Sequence, residues 1–284
     1  MKKLFAALLL ITSPAFAEGE VVVSVKPLHS LVVAVMEGSG MEPELVVSGK
    51  TSLHDFSMKP SQAKMLRKAE VVLYMGAPFE GFLANILPQI SAKRVAMMDA
   101  KGITILPVRG AKQQVPDLHL WLSPGNALAM TDEIASVLSE KFPDHAGLFT
   151  RNAQALKNKI SALDEDLKKR MRPLSGKPFA AFHDAYQYFT TEYGLTYVGS
   201  VLMHAEHAPS AANVKKLREQ IKAMRATCLF REPEYDAWIV ENIAEGTGVK
   251  TSVLDPEATQ IEPGAGLYFT LMEGIAAGLG SCLK

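Results

Sequence analysis

The chain is 284 residues long, carries 30 lysines and arginines against 30 aspartates and glutamates, and is 48% hydrophobic. Such balance offers no basic face for nucleic acid or for an anionic membrane surface, and the apolar fraction is enough to fill the cores of two ordinary domains.

The opening MKKLFAALLLITSPAFA places Lys2 and Lys3 ahead of an apolar run over 4–11 and a small-x-small site at Ala15 and Ala17. This is the pattern of a secretory signal peptide over 1–17, with cleavage expected between Ala17 and Glu18. The apolar run is too short to span a bilayer. Without Lys2 and Lys3 the balance of 30 minus 30 becomes 28 minus 30, a net charge of −2. No cysteine stands near the cleavage site to take a lipid, so an exported protein free in the periplasm is expected.

From Glu20 onward, short β-branched runs alternate with helical patterns, as expected of βα units with parallel sheets. The first half predicts strands over 21–25, 44–47, 71–74 and 94–98, and helices over 28–36, 60–69, 80–90 and 127–142. The segment 145–174 places Phe149, Leu156, Ile160, Leu163, Leu167 and Met171 at helical spacings. It predicts one amphipathic helix of about 28 residues, roughly 40 Å long. The second half predicts strands over 179–182, 196–200, 228–230 and 251–254, and helices over 185–193, 211–224, 236–245 and 266–279. The expected fold class is α/β: two lobes, 18–143 and 175–284, each a parallel sheet flanked by helices, joined by the rigid helix of 144–174. Cys228 and Cys282 read as one disulfide tying down the C-terminus, with two buried free thiols as the alternative.

Of the seven histidines, three stand at strand-to-helix junctions: His54 in SLHDFSMKP, His119 in DLHLWLSP and His183 in FHDAYQYF. Asp255, in SVLDP, follows the last predicted strand. In open α/β sheets ligands bind beyond the carboxyl ends of the strands, so these residues can meet in one cleft between the lobes. Three imidazoles and a carboxylate, two groups from each lobe, suit a tetrahedral Zn²⁺. A lone junction histidine is equally well a core residue or a general base, and no local zinc signature such as HExxH is present. His29 reads as a helix-start residue and His145 as a solvated one, while Asp55 and Asp184, each following one of the three histidines, are candidates to orient an imidazole.

Taken together in order, HDFSMKPSQAKML, HLWLSP, FHDAYQYF, ATCLFREP, SVLDP and the closing SCLK resemble the zinc-binding periplasmic receptors of ABC importers, the ZnuA group within cluster A-I of metal-binding solute-binding proteins. The resemblance covers nearly the whole chain after the leader. It implies a metal held between two α/β lobes by His54, His119 and His183, with Asp255 or water in fourth place. Some zinc receptors offer a glutamate just before the first histidine, where this chain has Leu53. Manganese receptors of the cluster carry a carboxylate at the position of His183, and imidazole suits Zn²⁺ where hard oxygen suits Mn²⁺. The histidine-rich loop that zinc receptors often carry before HLWLSP is replaced by LPVRGAKQQVPD, and His204, Glu206 and His207 in MHAEHAPS are candidates for auxiliary metal capture.

The implied function is high-affinity zinc binding and delivery to the permease of an ABC importer and its ATPase, by a monomer that is not an enzyme and carries Zn²⁺ as transported ligand. A manganese receptor is the alternative. A zinc-dependent hydrolase would need an open coordination position and a base, with Asp255 in that role.

Overall fold

The structure, a computed structural model, describes residues 20–50, 52–111, 114–202 and 210–284. The expected signal peptide, its cleavage site, and His204, Glu206 and His207 lie outside the described residues.

The first half builds a four-stranded sheet from β1 (Val21–Val23), β2 (Glu44–Leu45), β3 (Val71–Tyr74) and β4 (Lys93–Ala96) in the order β2-β1-β3-β4. Every pairing is parallel. β1 and the first three residues of β3 are fully buried, as strands covered on both faces require. α1 (Lys26–Met36) and α2 (Pro60–Lys68) each begin with a proline in the first turn, where the missing N–H costs nothing. At α2 the Gln62 side chain also accepts from the Lys59 N–H at 2.7 Å. A short antiparallel pair, β5 (Leu106–Pro107) and β6 (Pro116–Asp117), leads to α3 (Pro124–Lys141).

α4 (Ala146–Met171) is extended by 3₁₀ turns at Pro143–His145 and Arg172–Leu174. Its stripe of Phe149, Ala153, Leu156, Ile160, Leu163, Leu167 and Met171 is buried, while lysines, aspartates and glutamates face water. The Asn152 side chain donates to the carbonyls of Val35 (3.0 Å) and Glu37 (2.7 Å), satisfying the end of α1.

The second half adds β7 (Pro178–His183), α5 (Gln187–Glu192), β8 (Thr196–Leu202), α6 (Ala211–Met224), β9 (Cys228–Arg231), α7 (Ala237–Ala244), β10 (Lys250–Val253) and α8 (Leu267–Leu283). Its sheet has the order β10-β9-β7-β8, again all parallel. α8 packs on α1 and α4, so the larger apolar core runs without a break from Val21 to Leu283; a second core lies under α6 and α7. A disulfide between Cys228 and Cys282 ties β9 to the last turn of α8.

The helix expected over 80–90 is instead two separate 3₁₀ turns, Gly81–Leu83 and Leu87–Gln89. Pro88 lacks the N–H that an α-helix would bond back four residues and biases Leu87 away from helical torsions, while Gly81 weakens the start. α3 begins earlier than expected because Ser123 accepts the Asn126 N–H at 3.2 Å, capping the helix ahead of Pro124. α5 is shorter than its apolar pattern suggested.

Candidate metal centre

Each of the three junction histidines is set by local backbone chemistry. His54 lies in the 3₁₀ turn Leu53–Asp55, whose N-cap Ser52 accepts the His54 N–H at 3.2 Å. His119 follows β6; Asp117 Oδ1 accepts both its backbone N–H (3.1 Å) and its Nδ1–H (2.8 Å), folding the imidazole back over DLH. His183 is the last residue of β7, and its Nδ1 meets both carboxylate oxygens of Glu232, at 2.7 and 2.8 Å, just beyond the neighbouring β9.

These placements bring ligand atoms of His54, His119 and His183 within 4.8 Å of one another. Ring centroids lie 5.7 Å apart for His54 and His119, 5.3 Å for His54 and His183, and 5.3 Å for His119 and His183. Phe79 meets His54 and His119 edge-on, and Trp121 meets His119, so one wall of the group is aromatic. His119 and His183 are buried and His54 keeps an 11% exposed side chain, which makes it the rim of the group.

The carboxylates decide what the imidazoles can do. With Nδ1–H of His119 given to Asp117 and Nδ1–H of His183 given to Glu232, each ring presents a lone pair at Nε2. Those two Nε2 atoms face each other at 3.4 Å. Two acceptors so close repel unless a proton or a cation stands between them. Nitrogen ligands at the 2.0–2.1 Å bond length of tetrahedral zinc lie about 3.3 Å apart, so the spacing already matches one edge of such a site.

Asp255 is placed differently from the expectation. Its carboxylate turns into its own loop, accepting the N–H groups of Thr259 (2.8 Å) and Gln260 (2.9 Å) and the Thr259 hydroxyl (3.3 Å). Asp184 pairs with Arg109 and Asp55 is exposed, so neither orients an imidazole. His29 Nε2 lies 3.0 Å from the Pro43 carbonyl, to which it donates from a buried place in α1, and His145 stacks near Phe149 at the entry to α4.

Three residues escaped the sequence reading: Asp117, Glu232 and Glu257. Asp117 was legible as the acid two residues before His119, and Glu232 as the acid directly after a strand. Glu257 carried no signal, because only the turn after β10 aims it. Its Oε2 accepts the Leu53 N–H at 2.8 Å, its Oε1 accepts the Ser52 hydroxyl at 3.1 Å, and Oε1 lies 3.5 Å from His54 Nε2. The same loop sends the Pro256 carbonyl to Trp121 Nε1 at 2.8 Å, and the buried Lys26 ammonium donates to the carbonyls of Ala258, Thr259 and Ile261.

Burial pushes Glu232, Glu234 and Glu257 up to about 8 and pushes His183 down. All four shifts say that isolated charge is unwelcome here. A dication bonded on the imidazole side would reverse the balance, because the carboxylates then neutralise charge that is buried with them.

The family model described as "Zinc-uptake complex component A periplasmic", ZnuA, matches residues 21–282. The "High-affinity zinc uptake system protein ZnuA" of Brucella suis is 35% identical, over 93% of this chain and 91% of its own length. A structure described as "Crystal structure of ZnuA" superposes with a TM-score of 0.81 at 24% identity, covering 94% of this chain and all of its own. The "periplasmic zinc binding protein TroA" of Treponema pallidum gives the same TM-score at 16% identity, covering 94% and 99%. The two structures share the fold: parallel sheets flanked by helices and joined by a long helix.

Proposed function

The chain belongs to the ZnuA family of periplasmic zinc-uptake components, and from that premise we propose that it captures Zn²⁺ in the periplasm and delivers it to the permease and ATPase of an ABC importer. The lobes are taken as 18–143 and 175–284, braced by 144–174, with the leader removed after Ala17 and the mature chain acting as a monomer. The ion is held through Nε2 of His119 and His183 and by His54.

One observation carries this reading. Two buried imidazoles, each with Nδ1 committed to a carboxylate, turn their Nε2 atoms toward each other at 3.4 Å. Such a pair is prepared for a metal that prefers nitrogen, and affinity for sites of this type places Zn²⁺ far above Mn²⁺. Binding and handing over ask for no bond-making chemistry, so the protein acts as a carrier and not an enzyme. Because neutral imidazoles are needed, protons compete and affinity falls as pH drops through the histidine range. Release starts most readily at His54, whose turn lies at the rim, since the continuous core along α4 resists wide separation of the halves.

Competitive titration of metal-free protein with Zn²⁺ and Mn²⁺, followed by metal analysis, tests the proposal. The expected result is one zinc retained per chain in the presence of excess manganese. Preference for manganese, or no retained metal, refutes it.

A further inference from the structure

We propose that Glu257, reaching across from the second half, is the oxygen ligand that completes the zinc site beside His54, in the place the sequence suggested for Asp255. The inference rests on the zinc-receptor reading above.

Four observations on geometry converge. Glu257 Oε1 stands 3.5 Å from His54 Nε2, close to the roughly 3.3 Å edge of a tetrahedron built with 2.0–2.2 Å bonds, as is the 3.4 Å pair of His119 and His183. One pair is formed by two nitrogens and the other by a nitrogen and an oxygen. Among the described residues, mutual approach within 4.8 Å is limited to the three histidines, so the carboxylate stands at the edge of the group on the His54 side. It is carried there by a turn that holds Ala258 at a φ of 57°. A non-glycine residue in that region is strained and persists only when its surroundings fix it; here the three bonds from Lys26 to the turn carbonyls do so.

The valence count permits the bond. An ionised carboxylate has about four lone-pair positions, and the Ser52 hydroxyl and Leu53 N–H use two. One position on Oε1 remains for a metal. Asp255 accepts three bonds, two at Oδ1 from Thr259 and one at Oδ2 from Gln260, which hold it in its own loop. Charge points the same way. Three neutral imidazoles leave a buried dication uncompensated in its immediate sphere, and an anion in contact with it lowers that cost. Glu257, only 3% exposed, is the carboxylate already on the cleft side of His54.

Binding zinc through Glu257 also joins the halves. The same carboxylate holds the N-cap of the turn that carries His54, so the ion, the turn and the second half become one unit.

A crystal structure of the zinc-loaded protein, together with zinc titrations of Glu257→Gln and Asp255→Asn, tests the inference. The expected result is a Glu257 Oε1 to zinc distance near 2.0–2.2 Å with the three histidines as the other ligands. Glu257→Gln should weaken zinc binding about 10-fold or more and reduce discrimination against Cu⁺, a softer ion that gains nothing from a carboxylate. Asp255→Asn should bind zinc within about 3-fold of wild type. Zinc on the three histidines with water or Asp255 in the remaining place, and Glu257 still on Ser52 and Leu53, overturns the inference while leaving the receptor reading intact. Zinc absent from the three histidines altogether overturns the receptor reading itself.

Discussion

Replacing Glu232 by Gln should move zinc affinity and metal-free stability in opposite directions. Glu232 is fully buried and contacts His183 Nδ1 with both oxygens, at 2.7 and 2.8 Å. Beside a bound dication it is an anion that can only accept, so it fixes the proton on Nδ1 and leaves the Nε2 lone pair for zinc. A glutamine can turn its NH₂ toward Nδ1 and stabilise the other tautomer, whose Nε2 carries the proton and cannot ligate. Loss of such an orienting carboxylate costs about 10–100-fold in metal affinity, or about 1.4–2.7 kcal/mol.

Without metal the same substitution relieves a burden. Burial raises the Glu232 carboxyl from 4.5 to about 8, so between these values the folded chain keeps a proton that the unfolded chain has lost. Stability therefore falls as pH rises through that window, and the penalty is complete above about pH 8. Glutamine removes it. Even a gain of about 1 kcal/mol raises Tm by roughly 2–4 °C in a chain of this size. The assay is chelator-competition titration at pH 7.5 beside calorimetry of the metal-free protein at pH 5 and pH 8.5. Unchanged zinc Kd, or a lower metal-free Tm at pH 8.5, refutes the reasoning.

Glu80 provides a second titration far from the histidines in sequence. It is fully buried, its Oε2 accepts the Gly76 N–H at 2.9 Å, and burial raises it to about 7. Its charge is resisted by about 3 kcal/mol above pH 7, so Glu80→Gln should flatten the fall in stability between pH 5 and pH 7.5 in urea titrations; an unchanged slope contradicts this. Reduction of the Cys228–Cys282 bridge opens a span of 54 residues. That loop is worth about 4 kcal/mol on the chain-entropy model, so Tm should drop by roughly 10 °C, and a drop under about 2 °C argues against it.

By itself the sequence determined the βα alternation, the long amphipathic helix and the three histidines at strand junctions. Each is written in short-range pattern: β-branched runs, apolar residues at helical spacing, and polar residues where a strand ends. The two 3₁₀ turns of 81–83 and 87–89 show the limit of that pattern, since amphipathic spacing over 80–90 could not outweigh Pro88. Tertiary structure decided which carboxylates serve the imidazoles. Asp255 and Glu257 stand two residues apart in one loop, and nothing in their spacing says which faces the cleft. The choice falls to the turn at Ala258, held by Lys26 from the first half, 232 residues away in sequence. A residue's chemistry is local, but the direction of its side chain is set by backbone torsions that distant partners stabilise.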